Sequence, residues 1–562
     1  MNILIQLTLI NFYFFCLLFT TFGYGFFFLE KFKLLKYFKL NIFGIMLIGL
    51  IFCGFIAQFL NFFFPLTNFF IYTSFILSLY IILKKRNFFS KFKIKRDNFL
   101  FTFTFVFIFI LVILQIYGSG FSDDLNHYHL SSIINSDEKK YIIGSNFLHN
   151  LYGTSSIWLT LHSFLNINEY NLQGIHILNG LSFFLILSYF FFEIREDKSL
   201  NQNLKICRIF LIFFLLLKYT RLKEFGIDRP AFIFIIFFID ILIKHADKIF
   251  NSINKKKLYD LIILLLIIGI FIFFIKIIFF PILIFLILLF LFIKKKISIN
   301  FLFDLRVYFI LFILFQYFIK NFLISGCLIY PVKFLCIDNL SWYSAEILNN
   351  FLINTEIFNK SFNSYTGSLE AIEFIKNLNW VESWVLRTKH ELLDFFGVIL
   401  LSLIFSCICF KITKINKYTR KNYTIFFILL FGLIFYFYIW FFYTPIIRMG
   451  HHIFIIFAIL ILLLINFFFK FKEKINLTII FTIIFLTINF SKNFTRISQS
   501  NYTNNPQQLI IKNGWYYKAN NEKLGNFVYY SGWIGKAPLG QKLNDKVKHK
   551  KKFSYDILYK IK

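Results

Sequence analysis

Two adjacent carboxylates and two imidazoles lie close together in the segment SGFSDDLNHYH, residues 119–129. The four side chains are Asp123, Asp124, His127 and His129, and they directly follow a long apolar run. Polar groups at the point where an apolar helix leaves a bilayer are candidates for a functional site. This segment is therefore the first place to look for chemistry.

The aspartate pair is compatible with several roles. A carboxylate at a low-dielectric boundary has a raised pKa and can act as a general base. Carboxylates also bind Mg or Mn, and the spacing DDxxHxH admits a transition metal. In the structural alternative, Ser122 caps a helix that begins at Asp123, where acids complement the positive helix end. On such a helix His127 would share a face with both aspartates.

Further candidate side chains occur in two other short segments. The segment KYTRLKEFGIDR, residues 218–229, contains Arg221, Lys223, Asp228 and Arg229. Its basic residues either bind a phosphate group or extend from helix ends towards the membrane surface. In the turn TPIIRMGHH the cation is Arg448, which is suited to contact an anionic substrate.

These segments belong to a chain that is mostly apolar. It has 562 residues, of which 58% are hydrophobic, and a mean hydropathy of +0.70. The repeated continuous apolar runs predict an all-α polytopic membrane protein with about 14 transmembrane helices. Outer-membrane strands would alternate instead, so a barrel is excluded. The first 29 residues lack a basic start and a cleavage site, which predicts a retained span.

The distribution of basic residues predicts the orientation. The net charge of +32 comes largely from Lys and Arg concentrated in alternate loops, which indicates the positive-inside pattern and no nucleic-acid partner. The basic loops are therefore predicted to be cytoplasmic. The segments with the candidate residues would then all face outward. One further outward connection is very short, because only Lys276 and Pro281 interrupt the two apolar runs on either side of it. We therefore expect the candidate residues to lie on the extracytoplasmic side of the membrane.

The outer segments include two long loops and a polar tail. In loop 118–170 the apolar residues Trp158, Leu161, Phe164 and Leu165 have helical spacing. This spacing predicts an amphipathic helix on the membrane surface. Loop 325–393 predicts a few helices, and its two cysteines, Cys327 and Cys336, can form a disulfide if the loop is extracytoplasmic.

The composition divides the chain into two parts. Residues 1–490 contain the apolar runs and are predicted to form a transmembrane domain. Residues 491–562 are polar, aromatic and basic. This composition predicts a small extracytoplasmic tail domain with a couple of short strands. The sequence has no P-loop, dinucleotide fingerprint or serine-nucleophile elbow, which argues against a pump driven by cytoplasmic nucleotide.

An ordered set of motifs resembles a known class of enzymes. An aspartate pair in an outer loop, followed by many spans, is similar to the GT-C class of membrane glycosyltransferases. More narrowly, four segments resemble those of a functionally uncharacterised bacterial family of multi-spanning proteins. They are SDDLNHYH (122–129), GSNFLHNLYGTSSIWL (144–159), SGCLIYP (325–331) and PIIRMG (445–450).

The resemblance implies a GT-C-like fold and transfer of a sugar from a polyprenyl-phosphate donor to a lipid-linked glycan, lipid or protein. Asp123 or Asp124 would be the base or would bind a divalent cation, Mg or Mn, and His127 and His129 would orient them. The remaining substrate-binding candidates are Arg448 with Arg221, Lys223 or Arg229 for the phosphate, Asp228 as a second acid, and Tyr330 in the SGCLIYP motif.

Other classes remain open from the sequence. An envelope-polysaccharide polymerase or ligase would depend chiefly on arginines in the long outer loops. A lipid or solute transporter would need polar residues at mid-membrane depth and broken helices. A receptor or scaffold would bind envelope partners without catalysis.

Overall fold

The structure is a computed structural model. It describes residues 3–35, 40–85, 99–117, 128–166, 177–196, 202–222, 226–251, 255–293, 301–361, 369–376, 378–415, 423–499, 521–524, 527–530, 547–552 and 554–560. Asp123, Asp124, His127 and Lys223 lie outside these residues, as does the helix predicted to begin at Asp123.

The described chain is predominantly helical. In the first half the helices are α1 (Ile3–Lys31), α2 (Ile42–Asn61), α3 (Asn68–Lys84), α4 (Phe99–Tyr117), α5 (Leu130–Glu138), α6 (Ile157–Phe164), α7 (Ile177–Glu196), α8 (Gln202–Lys218), α9 (Asp228–Asn251) and α10 (Lys255–Ile275). In the second half they are α11 (Ile282–Ile293), α12 (Leu305–Ser325), α13 (Ala345–Ser361), α14 (Leu369–Lys376), α15 (Trp380–Ile408), α16 (Tyr423–Tyr443), α17 (Ile447–Phe468) and α18 (Ile475–Gln499).

Strands occur only as two-stranded antiparallel pairs in the described part of the chain. They are β1 (Phe410–Ile415) with β2 (Phe469–Glu473), β3 (Asn521–Leu524) with β4 (Phe527–Tyr530), and β5 (Val547–Lys552) with β6 (Tyr555–Lys560). The first pair joins the loop before α16 to the loop after α17. The other two pairs lie in the polar tail.

Every predicted apolar run coincides with a helix, but the helices differ in length and charge. Among the described residues, ten are long and apolar enough to cross a membrane: α1, α2, α4, α7, α10, α12, α15, α16, α17 and α18. The apolar helix α3 and the segment Ile277–Ile293 are shorter, and α8 and α9 carry charged residues. The all-α, multi-pass architecture is confirmed, and the count of about 14 spans stays a prediction.

Contacts between described residues join the ends of neighbouring helices. At one end, Lys85 pairs with Glu30 at 2.6 Å, which joins the ends of α1 and α3. At the other end, the backbone N–H of Gly144 donates to the carbonyl of Leu323 at 2.9 Å, which joins loop 118–170 to the end of α12. The candidate residues of the described chain lie at this second end, which we call the outer end.

The helix predicted to lie on the membrane surface is instead buried inside the protein. All residues of α6 are buried, and Trp158 is fully enclosed. The Trp158 indole N–H donates to Asn179 Oδ1 at 2.9 Å, and its ring lies edge-on to Phe234. The prediction was wrong because the spacing of apolar residues does not distinguish a helix covered by lipid from one covered by other helices.

The second long loop is helical, as predicted, and contains a disulfide that the sequence left open. Its helices are α13, α14 and the beginning of α15, which starts at Trp380, well before the apolar run that the sequence indicates. Cys327 and Cys336 are joined by a disulfide. The resulting small loop is closed further by a backbone hydrogen bond from Leu328 to Leu335.

The hairpin formed by β5 and β6 packs on the outer end. Ile557 pairs with Ile143 of loop 118–170, and the backbone N–H of Lys560 donates to the carbonyl of Ser341. Its Tyr555 hydroxyl donates to the carbonyl of Phe62 at the end of α2. One polar hairpin thus contacts three separate parts of the outer end.

A buried cluster of charges holds α7, α8 and α9 together. The Arg208 guanidinium makes two hydrogen bonds to Asp240, at 2.8 and 2.9 Å, and lies 3.3 Å from Glu193. Glu193 also pairs with Lys244 at 2.6 Å, and the Tyr189 hydroxyl donates to Asp240. Two acids and two bases therefore compensate one another in the interior, where an unpaired charge would be costly.

We predict that Arg208→Met lowers the free energy of unfolding by about 3–5 kcal/mol, because it leaves Asp240 buried without its counter-charge. The measurement is a denaturation curve of the purified protein in mixed detergent micelles. The double variant Arg208→Met with Asp240→Leu should recover most of this loss.

The matched control is Lys85→Met, because its ion pair with Glu30 has side chains that are 40% and 38% exposed. An exposed pair contributes below about 1 kcal/mol. Equal losses in the two single variants would contradict the assignment of Arg208 to a buried compensated cluster.

Candidate functional site

Asp228 lies at the centre of an ion-paired group at the outer end. It is the first residue of α9, where its carboxylate complements the positive end of the helix. Lys276 Nζ lies 2.7 Å from its Oδ1, and Arg448 Nε lies 3.4 Å from its Oδ2. Lys276 follows α10 and Arg448 is in the first turn of α17, so one carboxylate connects three elements.

The two cations keep Asp228 ionised. Burial alone would raise the pKa of the Asp228 carboxyl, but the Lys276 ammonium and the Arg448 guanidinium outweigh it and hold the pKa well below its usual range. This pairing therefore stabilises the fold above the usual carboxylate pKa and is lost as the pH falls below it. A carboxylate with so low a pKa is a weak base, so Asp228 is suited to position cations and not to accept a proton.

His129 connects this group to the aspartate segment. It immediately precedes α5, is buried, and lies close enough to Asp228 to lower its pKa further. His129 is also the last residue of SGFSDDLNHYH, so the aspartate pair precedes it by only a few residues. Asp123 and Asp124 themselves lie outside the described residues.

More charged side chains surround the group. The Arg229 guanidinium lies 5.1 Å from the centre of the Tyr219 ring, and Lys218 Nζ lies at the same distance from the Phe395 ring. The opposite face of this region includes Glu391 and Asp394 of α15, which act electrostatically on Lys218.

Two histidines of α17 pack beside these charges. His451 stacks on Phe395 with ring centres 4.4 Å apart, and His452 packs against Phe279 and Tyr436. The HH pair after Arg448 is therefore enclosed by aromatic rings.

Two predicted site residues lie elsewhere. Arg221 is exposed and close to Arg496, whose guanidinium donates to the carbonyl of Thr220 at 2.7 Å. Tyr330 is buried in the cluster of the disulfide loop, with its ring 5.2 Å from that of Phe351. The structure thus groups His129, Asp228 and Arg448, places Arg229 at their margin, and sets Arg221 and Tyr330 in other surroundings.

Sequence reasoning did not include Lys276 in the site. It treated this residue only as an interruption between two apolar runs, whereas Lys276 makes the shortest ion contact to Asp228. The available signal was a single cation in a short outward connection, the same signal that singled out Arg448. Glu391 carried no such signal, because it lies within predicted loop 325–393, which has many acids, and Asp394 directly follows that loop.

Within the described residues, no group of three or more His, Cys, Asp or Glu side chains could hold a metal ion. The oxygen ligands proposed for a divalent cation, Asp123 and Asp124, lie outside those residues. Binding of Mg or Mn therefore stays a prediction from the sequence.

The fold and the site define a multi-pass helical membrane protein with an ion-paired polar group at one end of its helices. The family described as a domain of unknown function, DUF8201, matches residues 7–455, and the chain belongs to this family. The matched segment includes Asp228, Lys276 and Arg448. No curated protein and no solved structure matches the chain.

We predict a coupling free energy of about 1–3 kcal/mol between Asp228 and Lys276 in a double-mutant cycle of Asp228→Asn and Lys276→Met. The two side chains are each 20% exposed and share a short ion pair. The measurement is the free energy of unfolding of the four proteins in mixed micelles at neutral pH.

The control cycle uses Glu346→Gln and Lys560→Met, whose pair at the same end is 3.5 Å apart with side chains 68% and 33% exposed. Its coupling should stay below about 1 kcal/mol. A coupling between Asp228 and Lys276 no larger than this would show that the ion pair does not organise the site.

Proposed function

We propose that this protein is a membrane glycosyltransferase of GT-C type that acts on the extracytoplasmic face. It would move a sugar from a polyprenyl-phosphate donor to a lipid-linked glycan, lipid or protein acceptor. The observation that carries the proposal is the pairing of Lys276 and Arg448 around one carboxylate beside His129. This arrangement is suited to bind an anion, and the sequence adds two candidate bases, Asp123 and Asp124, a few positions before His129.

Arg448 is suited to bind the phosphate of the donor. Its side chain is 38% exposed, so part of its guanidinium is accessible while Asp228 fixes its position. Guanidinium groups bind phosphate through parallel hydrogen bonds. Lys276 and Arg229 add positive charge nearby. Arg221 lies in other surroundings beside Arg496, and Lys223 stays a candidate from the sequence.

The proposed reaction is a displacement at the sugar's anomeric carbon. Asp123 or Asp124 takes the proton from an acceptor hydroxyl, whose oxygen bonds to that carbon. The bond between this carbon and the phosphate oxygen breaks, and polyprenyl phosphate leaves with the electron pair. Arg448 and Lys276 stabilise the charge that develops on the leaving phosphate.

The remaining candidates act through position. His127 and His129 would orient the aspartates, and Tyr330 would shape the neighbouring loop. If Asp123 and Asp124 hold Mg or Mn, that ion would supply further charge neutralisation at the phosphate.

The orientation is part of the proposal. The disulfide between Cys327 and Cys336 supports an oxidising compartment on its side of the membrane, and the positive-inside pattern of the sequence favours the same orientation. We therefore place the site at the periplasmic face of a bacterial inner membrane. Soluble nucleotide sugars would be confined to the other side, which favours a lipid-linked donor.

The orientation predicts opposite results for two alkaline phosphatase fusions. A fusion after Lys562 should be active, because the enzyme matures only outside the cytoplasm. A fusion after Ile415, at the end of β1, should be inactive although produced in similar amount. Activity of the second fusion alone would reverse the orientation.

The double variant Asp123→Asn with Asp124→Asn should abolish glycan transfer while the protein still inserts into the membrane. Envelope glycans of a deletion strain carrying each variant would be separated by electrophoresis, and the membrane level of the protein measured by immunoblot. The control is Glu373→Gln with Glu382→Gln, which removes two exposed acids of the other outer loop and should leave transfer unchanged.

Unchanged glycan in the aspartate variant would contradict the proposal. If Arg448→Met abolished the glycan while the aspartate variant did not, an envelope-polysaccharide polymerase or ligase would be favoured instead.

A further inference from the structure

A cavity opens at the outer end between the end of α2, the outer part of α12 and loop 118–170. Its volume is about 70 Å³, more than a single water molecule needs. Serine, threonine and tyrosine residues form much of its wall. This composition differs from that of the apolar helix surfaces around it.

A buried lysine lines the cavity. Lys320 belongs to α12, and only 1% of it is exposed. Its Nζ lies 5.5 Å from the centre of the Tyr141 ring and makes no hydrogen bond to any described residue. No carboxylate lines the cavity among the described residues. An ammonium group so far from water and from a counter-charge is costly unless something else compensates it.

Other polar atoms of the cavity wall also lack a partner within the described chain. They are Asn61 Oδ1, Asn135 Oδ1 and Ser155 Oγ, all buried. Buried donors and acceptors in folded proteins are nearly always paired with protein groups or with ordered water, so several orphans around one cavity mark a place where water or a ligand is bound. The amide oxygens accept and the Lys320 ammonium donates, so a ligand that pairs them must both donate and accept hydrogen bonds.

A second cation lies in the cavity wall on the side of the β5–β6 hairpin. Lys140 lines the cavity, and its Nζ donates to Ser554 Oγ of that hairpin at 2.7 Å. The described lining therefore contains two cations and no anion. This charge favours a ligand that carries an oxyanion.

We infer that this cavity binds an anionic sugar, a hydroxylated ring that carries a carboxylate or a phosphate, with Lys320 as its counter-charge. Sugar hydroxyls pair the orphan amide and hydroxyl groups of the wall. Tyr128 lines the same cavity and directly precedes His129 of the candidate site. An acidic sugar unit bound here would therefore lie beside the residue that precedes His129.

The inference does not depend on glycosyl transfer, because binding is measured without turnover. The full-length protein in lipid nanodiscs, in buffer free of phosphate, is titrated with glucuronic acid, glucose 1-phosphate, glucose and inorganic phosphate. The readouts are saturation-transfer NMR signals of the sugars and the shift in the thermal unfolding midpoint.

At least one of the two anionic sugars should bind ten-fold or more tightly than glucose. Preference for glucuronic acid identifies a sugar acid, and preference for glucose 1-phosphate identifies a sugar phosphate. Lys320→Met should abolish this preference and leave the unliganded midpoint equal or higher, because an uncompensated buried charge is removed. Lys333→Met, an exposed lysine of the disulfide loop, should behave as wild type.

Ser155→Ala provides a second variant with little risk to folding, and it should weaken binding of the preferred sugar several-fold. The inference fails if neither anionic sugar binds better than glucose, or if inorganic phosphate alone binds as tightly as glucose 1-phosphate. It also fails if Lys320→Met lowers the unfolding midpoint and keeps the preference, since the lysine would then be only a packing element over Tyr141.

Discussion

The carboxylate of Asp228 determines where two cations lie at the outer end of the helices. Lys276 and Arg448 are far apart in the sequence and follow or begin different helices, yet both are held against this one side chain. Without the carboxylate, two positive groups in a half-buried place would repel each other. The geometry of the candidate site therefore depends on a residue that is itself unsuited to proton transfer.

Three charged regions of the molecule differ in how completely their charges are compensated. The cluster of Arg208 is buried and contains equal numbers of acids and bases, so it is complete without a ligand. The group around Asp228 has an excess of positive charge and a partly exposed Arg448. Lys320 has no described counter-charge at all. Uncompensated charge is therefore smallest in the Arg208 cluster and larger around Asp228 and Lys320, where we propose that ligands bind.

Much of the fold could be predicted from the sequence because an apolar run or a basic loop is recognised from its own residues alone. Helices, loop alternation, the helical second loop and the disulfide partners needed only local pattern and composition. Burial of α6 did not follow, because its polar residues Thr160, His162 and Ser163 are satisfied or enclosed by neighbouring helices. Whether α6 is covered by lipid or by protein depends on helices from other parts of the chain. The periodicity of its own residues carries no information about those helices.

The candidate site was predicted in the same partial way. His129, Asp228 and Arg448 could be singled out because they are polar residues in loops that contain few basic residues. Lys276 was not, because its importance comes from a distance of 2.7 Å to a residue 48 positions earlier. Lys320 was hidden for a different reason. One lysine in an apolar helix looks like a snorkelling residue until the structure shows that it is enclosed.

The β5–β6 hairpin sets a condition on how this molecule is made. Its Ser554 contacts Lys140, 414 positions earlier, and its strand pairs beside Ile143. The helices between these two points must cross the membrane before the contact can form. During synthesis this end of the helices therefore stays open until the last polar segment has been made, and a ribosome that stops early leaves the wall of the cavity unfinished.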